Sequence, residues 1–258
     1  MSASYTSKII KASALVADTH LLLSEWDATR SPSANLRRFQ EENVLAKSSK
    51  GRLRDVLAIF RQRYLQDAEV AEALSVLAVG PSSKTLDRLL FYHAALNDPL
   101  LYDVVRDYLF PRYLAGRTNV HFDEVDRQLK TWVDEGKTSG TWSPPTRRRV
   151  AQGLLATLRD FGVLEGANDK RLTPPYLPLG AFAYVAFRLA RRARAGTKVI
   201  DHPDWGLFFL TPTAVGHFFS EAHQHRLLGY HAAGDVIRLD FPATTLPEYA
   251  RVIAERAA

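Results

Sequence analysis

Along most of the chain the apolar residues recur at spacings of three and four, the period of helices that bury one face. This patterning predicts helices over residues 8–26, 34–45 and 52–65, the last with Leu53, Val56, Leu57, Phe60 and Tyr64 on one side. The block 68–114 reads as three more helices divided by "VGPSSK" and "NDP", and its apolar density marks it as core. A helix over 122–135 then leads through "GKTSGTW" to the stretch "SPPTRRRVAQGLLATLRDFGVLEGANDKRLTPPY", residues 143–176.

That stretch carries two kinds of information. Ser143 is a good N-cap, and Val150, Leu154, Leu155, Leu158 and Phe161 form a single apolar stripe. At about 100° per residue, Arg148, Gln152 and Arg159 align on the opposite side, with Arg149 and Ala156 flanking them. Gly153 and Ala156 predict a low outer surface, suited to lying close to a groove. Gly162 stops the helix, and "VLEG" and "KRLT" pair around "AND" as a short hairpin, with Lys170 and Arg171 near its tip and Pro174–Pro175 closing the unit. Helix, turn, basic-faced helix and basic hairpin is the order of a winged helix-turn-helix. In that arrangement the second helix enters the major groove and wing cations contact flanking phosphates. By this reading Thr146, Arg147, Arg148, Arg149, Gln152, Arg159, Lys170 and Arg171 contact DNA, with Arg148 and Gln152 the pair placed to read bases. A solvated face or a protein-interaction module would use the same residues.

Downstream, a basic helix is expected over 181–195, where Arg191 and Arg192 suit phosphate better than lipid. "TP" at 211–212 opens another helix, ending near Gly229. "YHAAGDVIRLDF" reads as a second hairpin, and "TLPE" as a capping box opening a C-terminal helix. The stretch "SSKGRLRDVLAIFRQRYL" near the N-terminus repeats the grammar of a serine cap, early cations and an apolar stripe. It adds Lys50, Arg52 and Arg54 as candidate DNA contacts in a second helix-turn-helix, although no wing follows it.

Charge sharpens the picture. The chain of 258 residues carries a formal net charge of +6, yet residues 146–198 alone hold eleven Lys and Arg, Arg194 among them, against three acids. This local excess points to an anionic partner. There is no cysteine, which excludes thiolate metal sites and cysteine nucleophiles. His202, His217, His223, His225 and His231 match no metal-ligand spacing. Phosphate-loop, dinucleotide-binding and serine-hydrolase motifs are missing, so neither a cofactor nor an enzymatic activity is expected. The most apolar run, "LPLGAFAYVAF", is far short of a membrane span. With no signal segment at the N-terminus, the sequence predicts a soluble cytoplasmic protein that binds no membrane.

The blocks "YTSKIIKASALVADT", "EENVLAKSSKGRLRDVLAIFRQRY" and "TRRRVAQGLLATLRDFGVLEG", with the helical middle between them, resemble the BrxA family of BREX bacteriophage-exclusion systems. The resemblance implies a non-enzymatic, mostly helical protein that binds double-stranded DNA and acts with other BREX proteins. The family has also been likened to helical RNA-binding antitermination factors, which keeps structured RNA as an alternative, beside a scaffold that only docks defence proteins. Lys50, Arg52 and Arg54, and Arg147, Arg148 and Arg149, are the positions it carries over. The expected fold is mainly α: a helical bundle with winged helix-turn-helix-like modules and short β-hairpins. Residues 1–115 would form an N-terminal helical domain with a candidate helix-turn-helix, and residues 116–258 a C-terminal winged-helix region with a basic helix and a terminal hairpin and helix.

Overall fold

The computed structural model describes residues 4–11, 13–80, 83–174, 176–193, 195–234 and 236–256. Of the positions named above, Pro175 and Arg194 lie outside the described residues. The fold is mainly helical with a few short antiparallel strands.

Where one N-terminal helix was expected, the chain makes a 3₁₀ turn (Ser7–Lys11) and then α1 (Val16–Ser24). The break is at Leu15, held in the left-handed region at φ 54°, which leaves preceding carbonyls without helical partners. Arg63, buried, donates to two of them, Ser13 O at 3.0 Å and Ala14 O at 2.9 Å.

Next come α2 (Pro32–Glu41), α3 (Lys50–Tyr64), α4 (Ala68–Ala78) and α5 (Ser83–Leu96). The second helix begins earlier than its apolar pattern indicates because Ser31 caps it, accepting from Ala34 N–H, and Pro32 occupies the first turn. In α3 all five predicted apolar positions are buried. α6 (Pro99–Asp103), a π-helical turn (Val104–Leu109) and α7 (Phe110–Leu114) follow without interruption.

The next elements are β1 (Asn119–Val120), α8 (Phe122–Asp134), α9 (Pro144–Asp160), β2 (Leu164–Glu165) and β3 (Lys170–Leu172). Their strands form one antiparallel sheet in the order β1-β3-β2, with Arg171 opposite both Asn119 and Glu165.

α10 (Leu179–Ala190) is the central helix: every residue from Gly180 to Phe187 is buried. A helix apolar all round belongs in a core, which accounts for the membrane-like look of "LPLGAFAYVAF". No helix among the described residues is long and apolar enough to cross a membrane. The expected basic helix over 181–195 is shorter than its sequence suggested, ending at Ala190 with Arg191 as its cap. α11 (Gly196–Ile200), a 3₁₀ turn (Pro203–Phe208) and α12 (Pro212–Gln224) lead to the hairpin of β4 (Gly229–Ala233) and β5 (Val236–Asp240), and α13 (Leu246–Arg256) closes the chain. The capping box forms: Glu248 Oε2 accepts from Thr245 N–H at 3.1 Å, and Thr245 Oγ1 from Glu248 N–H.

One continuous core runs from Tyr5 to Ile253, with α13 packed along α4 and the N-terminal turn packed on α9. The last contact is very close. A Cβ on Gly153 would lie 2.9 Å from Ile9 O. Gly153→Leu is therefore expected to destabilise the fold by about 1–3 kcal/mol through overpacking, outweighing the roughly 1 kcal/mol that glycine costs a helix. Urea unfolding measures the difference, and a more stable variant would mean that the turn lifts freely from α9.

His93 of α5 is wholly buried and bonded to Tyr184 Oη at 2.9 Å. Burial, reinforced by the charges of Arg188 and Arg192, holds it well below the ordinary histidine range. The unfolded chain takes up a proton near pH 6.5 that the folded chain refuses. Stability should then fall as the pH drops below that value, by up to about 1.4 kcal/mol per unit until the folded-state pKa is reached. His93→Gln keeps a polar partner for Tyr184 and should flatten the slope between about pH 6.5 and 5; an unchanged slope assigns the acid sensitivity elsewhere.

Candidate nucleic-acid interface

α9 is fixed at both ends before any ligand arrives. Ser143 Oγ accepts from Thr146 N–H at 3.4 Å. At the other end Gly162, at φ 73°, closes a Schellman turn: its N–H bonds Arg159 O and that of Val163 bonds Leu158 O, both at 2.8 Å. Arg88 of α5 then donates to Phe161 O at 2.7 Å. The hairpin follows at once. Gly166, at φ 90°, makes its turn, where a Cβ would collide with Asp169 O.

The three arginines at the mouth of α9 have three different environments. Arg147 makes a bidentate pair with Asp126 of α8, Nε to Oδ1 at 2.8 Å and Nη2 to Oδ2 at 2.9 Å, with both side chains mostly covered. Its guanidinium is committed to joining the two helices. Arg148 is exposed, its guanidinium 5.1 Å from the ring centre of Phe122. Arg149 is exposed and makes no ion pair among the described residues. Gln152 and Arg159 are exposed on the same side, with Arg159 turned toward its neighbour Asp160 at 2.9 Å; Thr146 is half-buried beside the cap.

Of the two small residues expected to lower the outer surface for a groove, Gly153 has a different use. It admits the backbone of Ile9, so that edge of α9 is covered by the chain itself. The open arc runs from Arg148 through Gln152 and Ala156 to Arg149. In the hairpin Lys170 folds back, its Nζ bonding the carbonyls of Gly166 and Ala167, while Arg171 remains exposed. A groove beside them is lined by Asn119, His121, Glu165 and Asp169.

The other candidate cations are distributed differently. Lys50 and Arg54 lie exposed on α3; Arg52, also exposed, donates to Lys11 O at 3.1 Å and so ties α3 to the N-terminal turn. Arg191 pairs with Glu69 of α4. Arg192 is exposed beside a cavity shared with Arg63 and Arg188. α3 is followed directly by α4, not by a hairpin.

The outward line of α9, Arg148–Gln152–Ala156–Arg159, has its counterpart on α3 in Lys50–Arg54–Ala58–Arg61, at identical spacing. Arg61 was legible from that spacing. Asp126 and Arg88, far from α9 in sequence, carried no local signal. Two of the C-terminal histidines are used locally: Nδ1 of His223 accepts from Tyr230 N–H, and Nδ1 of His202 from Asp204 N–H.

These features define a mainly helical protein that displays one exposed basic helix beside a small antiparallel sheet. The chain belongs to the BrxA family, whose model matches residues 3–189, and with that it is a component of a BREX phage-defence system. No curated protein sequence matches it. The family match stops within α10, so α11, α12, the second hairpin and α13 lie beyond it.

The Arg147–Asp126 pair is expected to show a coupling of about 0.5–3 kcal/mol in a double-mutant cycle of alanine substitutions, read by urea unfolding. A coupling near zero would mean that the two helices are held by apolar packing alone.

Proposed function

We propose that the protein is a non-enzymatic, cytoplasmic component of BREX defence that binds double-stranded DNA through a winged helix-turn-helix. In this reading β1, α8, α9 and the β2–β3 hairpin form the module, α9 lies in the major groove and the hairpin serves as the wing. The observation that carries the proposal is the open face of α9, where Arg148, Arg149, Gln152 and Arg159 stand clear of any interhelical ion pair. The strand order β1-β3-β2 around two successive helices supports it. A helix fixed at both ends loses little further freedom on binding, which favours affinity.

The parts divide by chemistry. Arg149, Arg159 and Arg171 contact phosphate, and Arg148 with Gln152 reaches base edges. Arg148 leaves the Phe122 ring to do so. Lys170 acts first on the wing, holding its turn through the Gly166 and Ala167 carbonyls. Arg147 positions α9 and is no part of the contact surface.

A second reading, docking of another BREX protein, is favoured by a separate feature. Between α2 and α3 runs a groove of about 600 Å³ with Leu36, Leu57 and Leu65 along it and Arg37, Arg54 and Arg61 at its edges.

The combined variant Arg148→Gln, Arg149→Gln, Arg159→Gln should bind duplex DNA at least about tenfold more weakly at physiological salt. Its plot of log affinity against log salt should flatten by up to about 1.8, the loss of the phosphate contacts of Arg149 and Arg159. Fluorescence anisotropy with a duplex and an RNA hairpin side by side measures both. Wild-type affinity in the variant would sink the assignment of α9, tighter hairpin binding would redirect it to RNA, and no binding to either would leave the docking reading.

A further inference from the structure

Several arginines that this fold brings against other elements are matched with carboxylates. Arg147 meets Asp126, Arg112 meets Glu124 and Arg191 meets Glu69. Three are not. Arg63 of α3, with Arg188 and Arg192 one turn apart at the end of α10, lines a cavity of about 290 Å³ walled in part by His93 and Leu96. None of the three makes an ion pair among the described residues.

Their own partners are weak or neutral. Arg63, only 5% exposed, gives Nη1 to the carbonyls of Ser13 and Ala14. Among the described residues Arg188 hydrogen-bonds only Tyr92 Oη, at 3.4 Å, and its buried Nε has no partner. Arg192 is exposed at the cavity, and its side chain makes no hydrogen bond among the described residues. The one carboxylate lining the space, Asp67, has its Oδ1 on Glu69 N–H as the cap of α4. Asp98 lies in the field of Arg63, but it caps α6 through Leu100 and Leu101 N–H. The His93 imidazole lies in the fields of both Arg188 and Arg192.

Three guanidiniums around one carboxylate leave an excess of positive charge, which is costly where it is desolvated. A small dianion balances that excess. We infer that this seam between α3 and α10 is a binding site for a phosphate group, held by Arg63, Arg188 and Arg192. Guanidinium forks match phosphate oxygens in pairs, and a phosphate monoester carries enough charge to balance the excess, which a single carboxylate does not. The cavity is near the small end of the range for organic ligands, so the phosphate belongs to a small free ester or to the terminus of a nucleic-acid strand. Arg188 falls inside the family match and Arg192 beyond it, so the site draws on both parts of the chain. It does not depend on DNA binding by α9.

The test uses the intact protein at constant ionic strength, read by thermal unfolding and calorimetry. The probes are inorganic phosphate, adenosine monophosphate and a short single strand with and without its 5′-phosphate. Phosphate should raise Tm above a chloride control. Arg192→Gln, at an exposed position with no structural hydrogen bond, should keep the unliganded Tm and lose at least about tenfold in affinity. Arg188→Gln should do the same, and if it folds poorly Arg192→Gln decides alone. Adenosine monophosphate binding more tightly than inorganic phosphate identifies a free ester as the source. A tenfold preference for the 5′-phosphorylated strand over its twin identifies a strand end. The α9 triple variant should bind phosphate as wild type does, which separates failure here from failure of the DNA-binding proposal. No response to any phosphate probe, or equal affinity in wild type and Arg192→Gln, overturns the inference.

Discussion

The contact on which the arrangement depends is the approach of the Ile9 backbone to Gly153. It lets the segment around Ser7–Lys11 lie directly on α9, and that segment is tied down on every side. Tyr5 exchanges backbone hydrogen bonds of 2.8 Å with Lys137 and Ser139 in the connection between α8 and α9. Its hydroxyl donates to Asp103 at 2.6 Å, and its ring meets Trp132 edge-on at 5.2 Å. At the other end Arg52 of α3 holds Lys11 O. The two helices with matching basic lines, α3 and α9, are therefore linked through one short stretch of chain. A side chain at 153 would push that stretch outward and loosen both links at once.

Arginine does three separate jobs here, and composition alone does not separate them. Some arginines are structural donors: Arg88 closes the end of α9, and Arg63 satisfies the carbonyls freed by the break at Leu15. Others are halves of interhelical pairs, as Arg147 and Arg191 are. A third group, Arg148, Arg149 and Arg159, makes no ion pair with another element. The local excess of eleven cations over three acids in residues 146–198 overstates the free charge, because two of those cations, Arg147 and Arg191, are matched by Asp126 and Glu69 from outside the window. Of the rest, Arg148, Arg149 and Arg159 share one face of α9, whereas Arg188 and Arg192 line the cavity beside α3.

This is also why the fold was more legible than the site. Apolar periodicity and caps are local properties, so α3, α9, the first hairpin and the capping box of α13 lie where the residue pattern puts them. The break at Leu15 was hidden because both sides of it are helical in character, and the carbonyls it frees are satisfied by Arg63, some fifty positions away. α10 was extended too far because its basic end continues the helical pattern, although burial stops at Leu189. Among the candidate contacts, the outward line of α9 was readable from spacing. The commitment of Arg147 was not, because it depends on a carboxylate 21 positions earlier.

The matching lines on α3 and α9 show how one surface pattern can have two uses. Each spans twelve residues, about 16 Å of helix, with an alanine in the third place that keeps the middle of the face low. On α9 the face opens beside a hairpin carrying Arg171, so cations flank it in the way a duplex groove requires. On α3 the same face borders α2, where leucines floor a groove rimmed by Arg37, Arg54 and Arg61. An apolar floor offers nothing to a phosphate backbone and much to an amphipathic acidic segment. The neighbouring element, and not the basic line itself, decides which partner each helix suits.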